Sequence, residues 1–336
     1  MRWLVIPLVL ALSACTAQPT PAPVPEDRLS FTGFQSQGSN PAIMDASAAA
    51  MTTLAIDGVN FAPSSVSVVL QRQGVSAVEP SALELLEHAH EKGLRAELMV
   101  GNFDNELGDF SADLAAEALT SSGRATAVDE VVELVEKQGW DGVNIDIEAI
   151  DGDEAGGVTL FARELESALG PAKSVSIAIP LKSSPEAYVD AGFDLESLSE
   201  HVDRFIVMAY DEHGPWENIP GPVGSLDWQR AGLEALLEAV EPEKIELGVA
   251  GYGYAWGPSA PEGQLSVAQA RGLAPNATFD AAAGEWTATL ADGSELWFSD
   301  IQSFELRVDL AKEYDLGGVA LWSLEQGDAI TENDLK

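Results

Sequence analysis

The chain is poor in cysteine and in positive charge. Its 336 residues hold one cysteine, Cys15, so no intrachain disulfide can form. Lysine and arginine number 17 against 55 acidic residues, a formal charge of −38. Such a surface repels nucleic acid and anionic membrane faces, which excludes nucleic-acid binding as a function class. It suits a protein kept soluble by self-repulsion, in salty surroundings or through a lineage-wide acidic bias. Long apolar runs are missing too: the stretch from Trp3 to Leu12 is too short for a comfortable membrane span. There is no repeat at a solenoid period. His88 and His90 lie two apart on a predicted helix and point to different sides, so they make no metal pair. Neither a metal nor a cofactor is expected.

The N-terminus is a targeting segment and stands outside the fold. "MRWLVIPLVLALSAC" has one basic residue, an apolar run and small residues before Cys15. It resembles a bacterial lipoprotein signal, with Leu12 to Cys15 as the lipobox. That implies removal of residues 1–14, a lipid on the Cys15 sulfur and an extracytoplasmic, membrane-anchored protein. An ordinary secretory signal with an incidental cysteine is the alternative. Residues 15–29 are proline-rich and polar and read as an extended tether.

From residue 30 to about 330, short apolar strands alternate with helical patterns, the signature of βα units and a parallel sheet. Strands are expected at 31–35, 53–61, 95–103, 142–148, 174–180, 204–211, 245–254 and 317–324. Eight strands in this length fit an α/β (β/α)₈ TIM barrel. Val128, Val131, Val132 and Val135 form one helical stripe, as do Val158, Phe161, Ala162 and Leu165. Ser81 and Glu84 read as a capping box, and Gly93 as the end of that helix. Residues 258–298 break the rhythm. They read as a small α+β insertion after the seventh strand, with Asp292-Gly293 turning a hairpin.

The stretch "DGVNIDIEAI", residues 141–150, carries the chemistry. Val143, Ile145 and Ile147 suit a buried strand face, which sends Asn144, Asp146 and Glu148 together to the other face. Two carboxylates there raise one another's proton affinity, so one can stay protonated near neutral pH. At the C-terminal end of a barrel strand that equips a general acid. A solvated acidic loop mouth is the bland alternative.

"DGVNIDIE" closely resembles the catalytic motif of family 18 glycoside hydrolases, the chitinase-type enzymes, written DGxDxDxE. Asp141, Gly142, Asp146 and Glu148 match, whereas Asn144 replaces the first inner acid. "FIVMAYD" resembles the family's sixth-strand motif and places Met208, Tyr210 and Asp211 at the site. "GVALWSL" resembles its eighth strand, with Trp322 as the floor under the sugar. The resemblance implies substrate-assisted, retaining hydrolysis. Glu148 would protonate the leaving oxygen, the substrate's acetamide carbonyl would attack, Asp146 would orient the acetamide nitrogen, and Tyr210 would bond its oxygen. It implies a glycan partner bearing N-acetylated amino sugars.

The stretch "YDEHGPWENIPGPVGSLDW" looks like the loop after strand six in spore-cortex-lytic and related bacterial N-acetylglucosaminidases. Peptidoglycan or its fragments is therefore the expected substrate, with chitin-type chains and a non-catalytic family 18-like lectin as alternatives. Tyr252, Trp256 and His213 are further substrate-binding candidates, because aromatic faces stack on sugars, with core packing the competing role. Asn102, at the end of strand three, is weighed between an acetamide contact and a turn. A monomer is expected.

Overall fold

Alternation along the fourth strand decides what faces where. Val143, Ile145 and Ile147 are buried among the helices' side chains, and Asn144 and Asp146 face the interior of the sheet's curve. The computed structural model describes residues 29–62, 68–69, 80–258 and 260–336. The expected signal segment, Cys15 and the tether up to residue 28 lie outside the described residues.

Eight strands pair in parallel and close on themselves. They are β1 (Ser30–Ser36), β2 (Thr53–Phe61), β3 (Arg95–Gly101), β4 (Gly142–Asp146), β5 (Ser174–Pro180), β6 (Arg204–Met208), β7 (Ile245–Ala250) and β8 (Gly318–Trp322). Closure is made where β8 returns to β1, with Phe31 opposite Val319. The expected (β/α)₈ barrel is thus present.

Helices α1 (Pro80–Glu91), α2 (Ser121–Gln138), α3 (Ala155–Leu169), α4 (Leu226–Leu236) and α5 (Ile301–Glu313) pack outside it. Val128, Val131 and Val135 of α2 and Val158, Phe161, Ala162 and Leu165 of α3 are buried, so both stripes face the barrel. Helix α1 starts at Pro80 rather than after Ser81, since proline suits a first helical position where no N–H is needed. Gly93 (φ 78°) does follow it. None of the described helices is long and apolar enough to cross a membrane.

The barrel floor is polar, which the sequence reading missed. Arg204 bonds Glu97 at 2.8 Å and lies 3.0 Å from Glu246. Ser174 and Ser176 donate to Glu97, and Ser30 donates to Glu246. Burial pushes Glu97 up, but the Arg204 charge and these hydrogen bonds outweigh it and hold the carboxyl below its usual range. Gly142 is required in this layer, because a β-carbon there would collide with Ser174.

The seventh strand is shorter than expected. It stops at Ala250, and Gly251 turns away with its N–H donating to the Trp322 carbonyl at 2.7 Å. Tyr252–Trp256 instead enters a separate five-stranded antiparallel sheet. That sheet runs in the order Leu265–Ser266, Tyr252–Trp256, Glu295–Phe298, Glu285–Thr289, Thr278–Asp280. Its own small core includes Ala255, Leu265, Ala270, Leu296 and Phe298. Asp292-Gly293 turns the hairpin, with Gly293 at φ 87° and the Asp292 carboxylate accepting from the Ser294 N–H.

Candidate active site

A cleft of about 580 Å³ opens at the C-terminal ends of the strands. Asp146, Glu148, Met208, Tyr210, Asp211, Tyr252 and Trp322, named from the sequence, all line it. Trp322 packs on Phe34 with ring centroids 5.4 Å apart, giving the cleft an aromatic floor. Tyr210 meets Tyr252 edge-on at 6.2 Å. The strands end earlier than the sequence suggests. β4 stops at Asp146, so Glu148 stands two residues beyond it, and β6 stops at Met208, ahead of Tyr210 and Asp211.

The backbone bends sharply just past Glu148 and Tyr210. Ala149 has φ 55° and Asp211 has φ 63°, the left-handed region that non-glycine residues seldom occupy. Such strain persists only where surrounding bonds hold it. At Glu148 the holder is Asn102. Its Oδ1 accepts from the Glu148 N–H at 2.9 Å, and its Nδ2 donates to the Glu148 carbonyl at 2.8 Å and to the Ser111 carbonyl. Asn102 therefore supports Glu148 through its backbone, and its amide is engaged in the protein rather than offered to an acetamide. At Asp211 the carboxylate accepts from the Tyr252 hydroxyl at 2.7 Å and the Tyr254 hydroxyl at 3.0 Å.

A second support comes from α4 and α5. Gln229 of α4 donates to the Ala209 carbonyl, one residue before Tyr210, at 2.7 Å. Arg307 of α5 holds Gln229 at 3.1 Å and donates to the carbonyls of Gly224 and Gly284. Glu285 accepts from the Val223 and Gly224 N–H groups and lies 3.5 Å from Arg307. Burial raises Glu285 and lowers Arg307 despite their attraction, so desolvation outweighs this ion pair.

Burial raises the proton affinity of four groups in the cleft, Asp146, Glu148, Tyr210 and Asp211. Burial pushes Asp146 up to about 7, with the charge of Asp57 adding to it. Burial pushes Glu148 up to about 9, reinforced by Asp146, Asp211 and Asp109. Asp211 is also raised, by burial that its two tyrosine partners only partly offset. Tyr210 lies well above the usual phenol range, through burial and the surrounding carboxylates. A carboxyl that keeps its proton near neutrality can deliver it.

Three candidates sit elsewhere. Asn144 is fully buried below the cleft, donating to Ser176 at 2.9 Å. His213 bonds Glu217 at 2.7 Å and packs over Gly221, outside the cleft lining. Trp256 donates to the Gly214 carbonyl and lines a separate groove of about 430 Å³ beside the loop after β6. Histidines His88 and His90 pair with Asp45 and Asp141. Among the described residues, no cluster of three or more His, Cys, Asp or Glu side chains could hold a metal.

Asp57, Lys182 and Gln229 were missed. Asp57 had a signal, an acid inside the apolar run "TLAIDGVNF", the same oddity that drew attention to β4.

A closed (β/α)₈ barrel with proton-holding carboxyls at and just past the end of β4 and a tryptophan floor has the layout of a glycosidase. The family model described as glycosyl hydrolases family 18 matches residues 42–327, and the chain belongs to that family. It is 24% identical over 255 residues to an uncharacterized glycosylase of Bacillus subtilis (strain 168), covering 71% of this chain and 73% of that protein. It is 23% identical over 247 residues to a cortical fragment-lytic enzyme of Bacillus anthracis, covering 68% of this chain and 56% of that enzyme. The solved chitinase of Chromobacterium violaceum is similar over 91% of this chain and 98% of its own, with a TM-score of 0.78 and 26% identity. The chain is a family 18 glycosidase, similar to chitinases and to cortical fragment-lytic enzymes.

Proposed function

We propose that the chain is a retaining, substrate-assisted hydrolase of β-linked N-acetylglucosamine glycans, acting on peptidoglycan or its fragments. The carrying observation is that Asp146 and Glu148 share one strand end, both with raised proton affinity, in the cleft floored by Trp322. Glu148 gives its proton to the leaving glycosidic oxygen as the C1–O bond breaks. The 2-acetamido carbonyl oxygen bonds to C1 and forms an oxazolinium ion. Asp146 accepts the acetamide N–H, and Tyr210 donates to the acetamide oxygen. Glu148, now ionised, takes a proton from water, whose oxygen bonds to C1 from the face the leaving group left while the C1–O bond to the acetamide oxygen breaks and restores the acetamide. Retention follows, and the second acid acts as partner to the acetamide instead of as nucleophile.

Peptidoglycan is favoured by the loop after β6 and by the similarity to the cortical fragment-lytic enzyme. A membrane anchor on Cys15 would bring a monomeric enzyme to the wall. Chitin-type chains are the second reading, supported by the 26% identity to a chitinase over 91% of the chain.

The test incubates the full chain and its Glu148→Gln variant with purified peptidoglycan and with chito-oligosaccharides, identifying new reducing ends by mass spectrometry. Loss of the general acid slows cleavage by roughly 10² to 10⁴. Products ending in N-acetylglucosamine from wild type alone support the proposal. Binding without any product from either protein would leave a lectin.

A further inference from the structure

The cleft wall carries one basic residue among five acids. Asp109, Asp146, Glu148, Asp211 and Glu212 line it, and Lys182 is the sole cation in that lining among the described residues. The chain has 55 acids to 17 bases, and several of its described bases find an acidic partner, although the Lys312 nitrogen is buried without one. Lys92 meets Asp45, Arg124 meets Glu164, Arg230 meets Glu313 and Arg271 meets both Asp300 and Asp328. The Lys182 ammonium forms no ion pair or side-chain hydrogen bond with any described residue, although the cleft around it is rich in carboxylates.

Its backbone is well fixed. Lys182 lies two residues beyond β5, directly after buried Leu181, whose side chain packs into the space above Gly232 of α4. On its other side Ser184 caps the helix Pro185–Asp190, accepting from the Ala187 N–H. The half-buried side chain is therefore presented from a held strand end into the glycan-binding cleft.

An unspent cation in a cleft lined otherwise by acids, some of which hold their protons, has a use when the ligand brings its own negative charge. Chitin-type chains carry none. Peptidoglycan does: its muramyl residue bears either a free 3-O-lactyl carboxylate or the carboxylates of an attached stem peptide.

Resting on the peptidoglycan reading above, we infer that Lys182 is a specificity residue that binds a carboxylate carried by the muramyl residue next to the cleaved bond. No other described residue of the lining offers a cation, so a carboxylate bound in any other register loses its solvation without a matching charge. Lys182 fixes the one register in which the carboxylate is matched.

The test uses the full chain, Lys182→Gln and Lys182→Arg, with four glycans of equal length. These are an N-acetylglucosaminyl–muramyl tetrasaccharide with free lactyl groups, its lactyl methyl ester, the same glycan with stem peptides attached, and chitotetraose. The readout is the ratio of kcat/KM for each charged glycan to that for the uncharged ones. A partly desolvated charge-assisted contact makes wild type prefer the charged form by roughly fivefold to twentyfold. Lys182→Gln abolishes that preference, Lys182→Arg keeps most of it, and added salt compresses it. Preference for the free lactyl glycan names the lactyl group as the source, and preference only for the peptide-bearing glycan names the stem peptide. An equal ratio in wild type and Lys182→Gln, or faster cleavage of the ester, overturns the inference. If wild type cleaves none of the four, the proposed hydrolase fails instead, and calorimetric affinities for the same glycans decide Lys182 by the same ratio.

Discussion

The side-chain amide of Asn102 grips the backbone of Glu148 from both ends, accepting from its N–H at 2.9 Å and donating to its carbonyl at 2.8 Å. Both partners stand just past the ends of adjacent strands, β3 and β4, where no ladder bond reaches. The amide replaces that missing ladder and fixes the carboxyl over the cleft.

Asn102→Ala removes the grip and leaves two backbone groups unpaired, costing about 1–3 kcal/mol of stability. Misplacement of a reacting group by about 1 Å is worth roughly 10²-fold in rate, so kcat falls on that order. Steady-state kinetics on a soluble chito-oligosaccharide checks this, with KM moving far less than kcat. A variant with near-normal kcat contradicts the positioning role.

Glu148 trades stability for a held proton. Its folded-state pKa is raised, so the unfolded chain releases that proton at lower pH than the folded one does. The folded protein therefore binds more protons above about pH 4.5 and loses stability as pH rises from there toward 9. Glu148→Gln escapes this cost. Scanning calorimetry should find equal melting temperatures for variant and wild type near pH 4. By pH 8 the variant melts several degrees higher, at roughly 1–2 °C per kcal/mol for a chain of this size. A gap that is constant with pH contradicts the raised proton affinity.

Asp57 is the charged neighbour that raises Asp146 beyond what burial does. Asp57→Asn removes one negative charge from the coupled group, so its protons leave more easily. The kcat/KM profile then shifts toward acid as a whole, because coupled carboxyls titrate as a unit. Rates measured between pH 4 and 10 test it, and an unmoved profile would show that Asp57 does not act on the pair.

Arg307 and Glu285 make a pair that burial already disfavours, yet removing one partner strands the other. Arg307→Met costs about 3–5 kcal/mol in urea unfolding, since Glu285 is left buried and unmatched. Adding Glu285→Gln to it recovers part of that loss. A double variant as unstable as the sum of the two single changes shows no coupling between them.

The barrel was legible because its strands announce themselves by alternation and number. β2 and β5 fall on the expected residues, 53–61 and 174–180. Asp146 and Glu148 were legible for a related reason: acids on alternate residues of an apolar strand need an explanation. The seventh strand was misjudged because "IELGVAGYGY" keeps one apolar rhythm through Gly251, where the backbone leaves the barrel. Tyr252 reaches the cleft from the insertion sheet for that reason. Asn102 was noticed but its use was not, since a side chain bonded to backbone 46 residues away leaves no local trace. Glu97, Arg204 and Glu246 lie 107 and 42 residues apart along the chain, and only barrel closure brings them together.

The measurement closest to the central claim follows the anomeric proton of the freshly released N-acetylglucosamine end by NMR, before mutarotation. Substrate-assisted catalysis through Glu148 and Asp146 predicts the β-anomer first, from a β-linked substrate. Initial appearance of the α-anomer would mean direct attack by water from the opposite face, and would contradict the mechanism.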